Sequence, residues 1–503
     1  MSIKPIKELT KNIFLLVLAG VGFFLRIFGL GMNYSFWTDE NHVALFAEAI
    51  LARGKPVLEN GYRTGAYQGL MYWVSAASAK LWGLNEFGIR FPSVVFGVLT
   101  IIAIYLLGKE LFNKKTALLA AFFLTFLKIE ILMSRQARPY QALQFFFLLS
   151  AYFVFKIIDN KDFKIKNLLG FLFSGILACL MHGLGLAALF SGLVFLLLVN
   201  FDQNKRWLLP SLLAFLGSCL IFQELVFSYF AQLGQVNNLF YYRVFLAHNY
   251  FLFCLLAFLG SFLLIWRRNY RDLFLFAVFL GVQIIIDSFF LKQPFIRYFY
   301  PVLPFIILLT SYGLVEIIEL VTPVLFSSQG RRFVSFRGIW ISLLSAAFIL
   351  LTFSFRDKFV FWPQQTYSLN EDMQEIPEVD WKKIYGLVAE KKKENPDLVL
   401  ITNWNDLSLW YLGEGNLNFL LRSEKKEIDA LSGAIIINSL GKFEKLLDEN
   451  RNGIIVLDSW DDRVPAGIRE YVHQNLKREY ELDRLYPVQP RYWTVWVYSW
   501  GLD

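Results

Sequence analysis

The sequence predicts an α-helical polytopic membrane protein of about eleven transmembrane helices, followed by a soluble α/β domain. Three observations predict it. First, 56% of the 503 residues are hydrophobic, 18% aromatic and only 18% charged. A soluble globule of this length has no interior large enough for that apolar surface, and a disordered chain would lack it. Second, apolar runs long enough to cross about 30 Å at about 1.5 Å per residue recur through residues 1–356. Third, charge divides unevenly. Residues 1–356 hold 31 Lys and Arg against 16 Asp and Glu, whereas residues 357–503 hold 18 against 25. The domain boundary is therefore expected at 356/357.

Lys4, Lys7 and Lys11 precede the apolar run 12–31, and no small-x-small cleavage site follows it. This reads as an uncleaved first span with a cytoplasmic N-terminus. Further spans are expected near 88–108, 115–133, 140–158, 167–182, 184–200, 207–230, 248–266, 272–291, 298–321 and 338–355. The pair 167–182 and 184–200 meets at His182-Gly183-Leu184-Gly185, where two glycines permit a tight reversal. Alternating sides from a cytoplasmic start gives the cytoplasmic segments 18 Lys and Arg and the short outer segments six, as the positive-inside rule requires. Residues 65–82 are apolar enough to imitate a span, but counting them as one would invert every later loop. Residues 32–87 are therefore read as one outer loop carrying two interfacial amphipathic helices. The first, Thr38–Arg53, puts Val43, Phe46, Ala47, Ile50 and Leu51 on one face; the second puts Leu70, Trp73, Val74, Ala77 and Leu81 on one face.

After Arg356 helical patterns (380–394, 440–450, 464–477) alternate with short β-branched runs (398–402, 434–438, 453–457, 494–498). That alternation predicts a small α/β domain with a mostly parallel sheet, placed outside the cytoplasm by the topology. The cell location is expected to be the plasma (inner) membrane. Cys179, Cys219 and Cys254 all fall in apolar runs, so cysteine usage gives no disulfide framework. Basic residues sit in short loops between apolar runs, which suits lipid headgroups and not nucleic acid. There is no Walker loop, HExxH or CxxC.

Trp37-Thr38-Asp39-Glu40 begins the first outer helix. Its bland reading is a Thr38 cap with two acids on the helix dipole, worth about 0.3–1 kcal/mol. Its functional reading is a general base at the membrane surface. Ser134-Arg135-Gln136-Ala137-Arg138-Pro139-Tyr140 ends the third span on the outer side, and Arg297-Tyr298 opens the tenth there. Snorkelling explains most interfacial arginines; a clamp on a lipid-linked phosphate is the functional reading. His182 faces the same side. Arg26, Glu224 and Asp287 fall within or near spans and face protein or a wet cavity, with Asp287 near enough to the edge for boundary solvation. Asp458, Asp461 and Asp462 read as a solvated turn, with cation binding as the rival.

These pieces occur in a recognisable order. Arg26-Ile27-Phe28-Gly29-Leu30 ends the first span, then come Trp37-Thr38-Asp39-Glu40, Met71-Tyr72-Trp73, and the run Leu81-Trp82-Gly83-Leu84-Asn85-Glu86-Phe87-Gly88-Ile89-Arg90-Phe91-Pro92-Ser93. The Ser134–Tyr140 segment, His182-Gly183 and Arg297-Tyr298…Pro301…Pro304 follow. Over about residues 12–320 the chain resembles the glycosyltransferase C superfamily, in its protein O-mannosyltransferase and lipid A aminoarabinose transferase-like branch. The resemblance implies transfer of a sugar from a polyprenyl-phosphate carrier outside the cytoplasm. By it, Asp39 is the general base and Glu40 sits beside it for acceptor positioning or charge. Arg138 and Arg297 are donor-phosphate ligands, Tyr140 and Tyr298 supports, and Arg135 and His182 further candidates. Where the aminoarabinose transferases carry a Lys-Pro-Pro-type segment, this chain reads Tyr67-Gln68-Gly69; Arg63 is the residue placed to compensate. No cofactor is required by the sequence, and relatives with and without a divalent metal leave the metal open.

The expectation is thus an inverting membrane glycosyltransferase taking a polyprenyl-phosphate monosaccharide donor and a glycan, lipid or protein acceptor. Two other classes share the features: a transporter or flippase of lipid-linked sugars, which needs the arginines but no base at Asp39, and a receptor or scaffold whose external domain binds a protein. Inverted repeats of discontinuous spans would favour transport, and the sequence has none.

Overall fold

The structure, a computed structural model, describes residues 12–32, 35–36, 38–63, 69–159, 165–200, 231, 233–326, 358–364, 379–459, 461–482 and 494–502, with positions 217, 223 and 227. The expected spans 207–230 and 338–355 lie largely or wholly outside these residues, as do Trp37, Tyr67, Gln68, Cys219, Glu224 and Arg356. The chain divides into two compact units, one of residues 1–28, 66–70 and 93–367 and the other of residues 29–65, 71–92 and 368–503.

The first unit is helical. It contains α1 (Ile13–Ile27), and the division between units falls in a later helix, α4 (Glu86–Leu111). Next come α5 (Lys114–Phe126), α6 (Lys128–Met133), α7 (Tyr140–Asp159), α8 (Ile165–Met181) and α9 (Gly185–Asn200). They are followed by α10 (Leu239–Asn249), α11 (Phe251–Trp266), α12 (Tyr270–Phe289), α13 (Ile296–Phe299), a 3-10 turn at Tyr300–Val302 and α14 (Leu303–Phe326). Four described helical stretches are long and apolar enough to cross a membrane: Glu86–Leu111, Tyr140–Ile158, Tyr270–Phe289 and Ile296–Leu320. The pair α10 and α11, bent by 98°, makes a fifth if it is one broken span, and α1, α8 and α9 are shorter apolar helices. Gly185 starts α9 because nothing larger fits. A Cβ there would lie 2.1 Å from the Ala178 carbonyl carbon.

The expected span 115–133 is broken. At Leu127 the backbone leaves the helix, with ψ 125°. A break at bilayer depth orphans backbone groups that lipid cannot satisfy. Two devices satisfy them. The Arg26 guanidinium donates to Leu124 O at 2.9 Å and Thr125 O at 3.3 Å. Residues 358–360 pair with the gap as a bridging strand, Val360 N–H donating to Phe126 O and accepting chain Lys358 O receiving Lys128 N–H. Arg26, 0% exposed, therefore faces protein. Arg135 caps the end of α1 in the same way, donating to Arg26 O at 2.9 Å and Phe28 O at 2.6 Å.

The two ends of this unit differ chemically. One end carries Lys156–Glu110, Lys115–Glu319 and Arg267–Glu316 ion pairs. Tyr140 opens the opposite end of α7 from Lys156, and Arg297 lies at the opposite end of the stretch Ile296–Leu320 from Glu319.

The second unit contains α2 (Thr38–Arg53), α3 (Gly69–Trp82, from residue 71) and a six-stranded α/β domain. The domain runs α15 (Trp381–Glu394), β1 (Val399–Thr402), α16 (Asn405–Leu412), β2 (Phe419–Leu421), β3 (Ile435–Ile437), α17 (Leu440–Glu449), β4 (Gly453–Asp458), α18 (Ala466–Asn475), β5 (Lys477–Leu482) and β6 (Val495–Trp500). Strand order is β3-β2-β1-β4-β6-β5; the first four are parallel and β6 and β5 antiparallel. The strand runs read from the sequence became β1, β3, β4 and β6. β2 and β5 were missed, because three residues are too few to show a period and Lys477–Leu482 is charged. Alternate residues feed two cores, Leu400, Leu420, Ile436 and Ile454 on one face of the sheet and Ile401, Leu421, Ile437 and Ile455 on the other.

The domain grips the segment that carries α2. Ser35 Oγ donates to Val379 O at 2.7 Å, Phe36 N–H to Tyr411 Oη at 2.9 Å, and Arg53 pairs with Glu414 at 3.0 Å. α2 is buried nearly all round. Ala44, Leu45 and Ala49 are as buried as Val43, Phe46, Ala47 and Ile50, while Leu51 is exposed. It is thus a core helix of this unit and not the one-faced surface helix expected. α3 buries Met71, Tyr72, Ser75, Ala76 and Ala79 and leaves Trp73 and Leu81 exposed. Of the apolar face read from the sequence, Trp73, Ala77 and Leu81 are exposed and Leu70 and Val74 half-buried.

Candidate functional site

In the helical unit five of the expected residues gather at one end. The bent segment 134–139 between α6 and α7 carries Arg138, and Tyr140 opens α7. His182 occupies the α8–α9 turn, and Arg297 and Tyr298 lie in the four-residue helix α13. Tyr140 and His182 rings are 5.1 Å apart, and Tyr298 lies 6.2 Å from each. The Arg138 guanidinium stands 5.6 Å over the Tyr140 ring and that of Arg297 5.3 Å over the Tyr298 ring. Arg138 is buried and Arg297 partly buried.

Burial first, then the charges of Arg297 and Arg138, push the His182 imidazole down to about 3. The ring is therefore neutral near pH 7. Leu184 N–H donates to its Nδ1 at 3.1 Å, so the proton sits on Nε2 and that edge is a donor. Two guanidinium groups and a neutral N–H donor among aromatic rings make a positive, hydrogen-bond-donating locus. Its chemistry suits an oxyanion such as a phosphate.

Buried polar groups hold α13 in place. Tyr242 Oη donates to Phe295 O at 3.2 Å, and Gln283 Nε2 donates to Tyr298 O at 3.0 Å and Asp287 Oδ1 at 2.8 Å. The carbonyls on both sides of Arg297 are thus pinned. Asp287 is 0% exposed, so the reading of it as a solvated boundary residue is corrected. Below this lies a second network that the sequence reading passed over. Glu130 accepts from Tyr300 Oη at 2.7 Å and Gln144 Nε2 at 3.0 Å, while Tyr300 Oη also reaches Gln141 at 2.6 Å. The signal was present: Glu130, Gln141 and Gln144 are polar residues inside apolar runs.

In the second unit, α2 presents its two acids differently. Asp39 is exposed. Glu40 is 2% exposed and makes a two-pronged ion pair with Arg90, Nε–Oε1 2.8 Å and Nη2–Oε2 2.9 Å. Arg90 also reaches Ser35 O and lies 4.9 Å over the Phe36 ring. Glu40 is therefore an anchor for the start of α2, and the expectation that it positions acceptor is corrected. Arg63 is exposed at a short bridge with Val57. Asp458 and Asp461 are buried, at 0% and 2% exposure, so they are not a solvated turn. Among the described residues no group of three or more His, Cys, Asp or Glu side chains is placed to hold a metal ion.

Comparison with known proteins places the architecture. Residues 70–230 match the family model described as dolichyl-phosphate-mannose-protein mannosyltransferase. The crystal structure of ArnT from Cupriavidus metallidurans bound to undecaprenyl phosphate superposes with a TM-score of 0.61, at 14% identity, over 97% of this chain and 98% of that one. The oligosaccharyltransferase AglB from Archaeoglobus fulgidus, in complex with an inhibitory peptide and a dolichol-phosphate, gives 0.55 at 14% identity over 91% and 70%. An uncharacterized protein of Aquifex aeolicus (strain VF5) is 33% identical over 152 residues, 29% of this chain and 30% of that protein's length. The chain therefore has the fold of ArnT over nearly its whole length, and residues 70–230 carry the likeness to the mannosyltransferase family model.

Proposed function

We propose that the protein is an integral membrane glycosyltransferase that moves a monosaccharide from a polyprenyl-phosphate donor to an extracytoplasmic glycan, lipid or protein acceptor. The observation that carries this reading is the convergence of Arg138, Arg297 and neutral His182 at one end of the helical unit. Arg138 and Arg297 hold the donor phosphate, and His182 Nε2–H gives it a further hydrogen bond. Tyr140 and Tyr298 wall the locus. Arg135 has a structural duty at the end of α1, and Arg63 remains a candidate donor contact. The undecaprenyl phosphate bound to ArnT and the dolichol-phosphate in complex with AglB are of the same chemical class as the proposed carrier.

Asp39 is the general base. It takes the proton from the acceptor nucleophile as that atom bonds to the anomeric carbon. The bond from that carbon to the phosphate oxygen breaks on the opposite face, so the configuration inverts. The electron pair leaves on the polyprenyl phosphate, whose growing charge the guanidinium groups offset. The boundary of the catalytic domain at 356/357, the plasma-membrane location, the cytoplasmic N-terminus and the external C-terminal domain belong to the same proposal.

The test uses purified full-length protein, radiolabelled polyprenyl-phosphate sugars and a membrane extract. Asp39→Asn should lower transfer by about 10²–10⁴-fold while leaving undecaprenyl phosphate binding unchanged. Arg138→Met and Arg297→Met should weaken that binding. Full transfer by Asp39→Asn would remove the proposed base.

A further inference from the structure

The sheet of the C-terminal domain has a topological switch point. From β1 the chain moves to β2 on one side, and from β4 it moves by α18 to β5 on the other. In open α/β sheets ligands bind beyond the carboxyl ends of the two strands flanking such a point. Here those ends carry Asn403, just after β1, and Asp458, the last residue of β4.

The residues at this edge form a buried polar cluster. Asn403 Nδ2 donates to Asp458 Oδ1 at 2.8 Å and Asp461 Oδ2 at 3.3 Å. Trp404 Nε1 donates to Asp458 Oδ2 at 2.6 Å, and Arg463 forks onto Asp461 at 2.7 and 2.8 Å. Arg422, which follows β2, interacts electrostatically with Asp461 and Asp429. Two valences stay open. Asn403, 0% exposed, has no partner for Oδ1, and Arg422, 9% exposed, has none for Nε. An unmet buried polar atom calls for a missing partner.

The open valences select the partner's chemistry. A lone anion satisfies Arg422 but not an amide oxygen. A lone cation satisfies Asn403 but not a guanidinium. A hydroxyl group donates to one and accepts from the other. Charge agrees. Asp458 and Asp461 stand among Arg422, Arg463 and Arg469, so an added phosphate would meet carboxylates beside every guanidinium.

We infer that this carboxyl edge, with Asn403, Arg422, Asp458 and Asp461, binds an uncharged, hydroxyl-rich saccharide portion of the acceptor. Calling the ligand acceptor rests on the transferase reading; the saccharide chemistry does not. The position within the unit fits the role. Asp406, at the start of α16 beyond β1, interacts with His42 of α2, and His42 lies three residues after Asp39, on the same side of that helix.

The experiment is saturation-transfer NMR on the full chain in detergent, with neutral methyl hexopyranosides as probes. Inorganic phosphate and calcium chloride serve as comparison arms, and undecaprenyl phosphate binding is measured alongside. Saturation should reach the sugar ring protons and fall about fivefold in Asn403→Leu and Arg422→Met, with undecaprenyl phosphate binding unchanged. If either variant unfolds, Asn403→Ser and Arg422→Lys, which remove the amide oxygen and the Nε donor, replace it. No transfer to any sugar, or transfer indifferent to these substitutions, overturns the inference and assigns the open valences to bound water. Phosphate or calcium binding that these substitutions abolish, without sugar binding, also overturns it. Sugar binding without undecaprenyl phosphate binding would instead sink the transferase reading and leave this site standing.

Discussion

A helix turns about 100° per residue, and that rotation separates Asp39 from Glu40. One is exposed; the other is locked to Arg90 with both side chains 3% exposed. The two acids should therefore fail differently. Glu40→Gln strands a buried guanidinium and is expected to lower stability by about 3–5 kcal/mol, read as a drop in Tm in detergent. Asp39→Asn should leave Tm unchanged. His182 gives a pH signature. Its folded value, about 3, lies below its ordinary 6.5, so between these values the unfolded chain binds the extra proton. Stability from this residue is complete above pH 6.5 and is lost as pH falls toward 3. His182→Asn should flatten that part of the Tm–pH curve. The candidate site was legible at this scale where residue type alone sets the chemistry, as at Arg138 and Arg297. Glu40 was misread because Arg90 is fifty positions away in sequence, and no local pattern announces such a partner.

At the scale of elements, short α13 holds Arg297 only because its neighbours fix its backbone. Gln283→Leu and Tyr242→Phe each release one carbonyl beside Arg297. Each should weaken undecaprenyl phosphate binding by about fivefold and raise the donor KM while kcat at saturating donor stays near wild type. Asp287→Asn, which keeps the hydrogen-bond geometry to Gln283, should restore most of what Asp287→Ala loses. A collapse of kcat with unchanged KM would contradict the positioning role. The helix Thr38–Arg53 was legible to its ends, since two acids open it and an arginine closes it. Its burial was not, because part of its cover, the helix Asn405–Leu412, comes from the C-terminal domain more than three hundred positions later, and Tyr72 and Arg90 reach it from other elements. The break at Leu127 was equally hidden: the run 115–133 is continuously apolar, and the break exists through Arg26 and the strand at 358–360.

For the whole molecule, composition and the spacing of basic loops carried the fold class, since a bilayer constrains apolar length and charge sidedness more strictly than water constrains either. The proposed orientation predicts that a cysteine placed at Lys425 reacts with an impermeant maleimide in intact cells and that one at Lys114 reacts only after permeabilisation. The reverse pattern would invert the topology. The strand that closes the Leu127 gap has a consequence for biosynthesis. Phe126 enters the membrane long before residue 360 leaves the ribosome, so its carbonyl and the Lys128 amide travel into the bilayer with their eventual partners still unmade. Until the late segment arrives, water or the insertion machinery must attend those groups. The third helix of the helical unit is thus finished by a piece of backbone made only shortly before the C-terminal α/β domain begins.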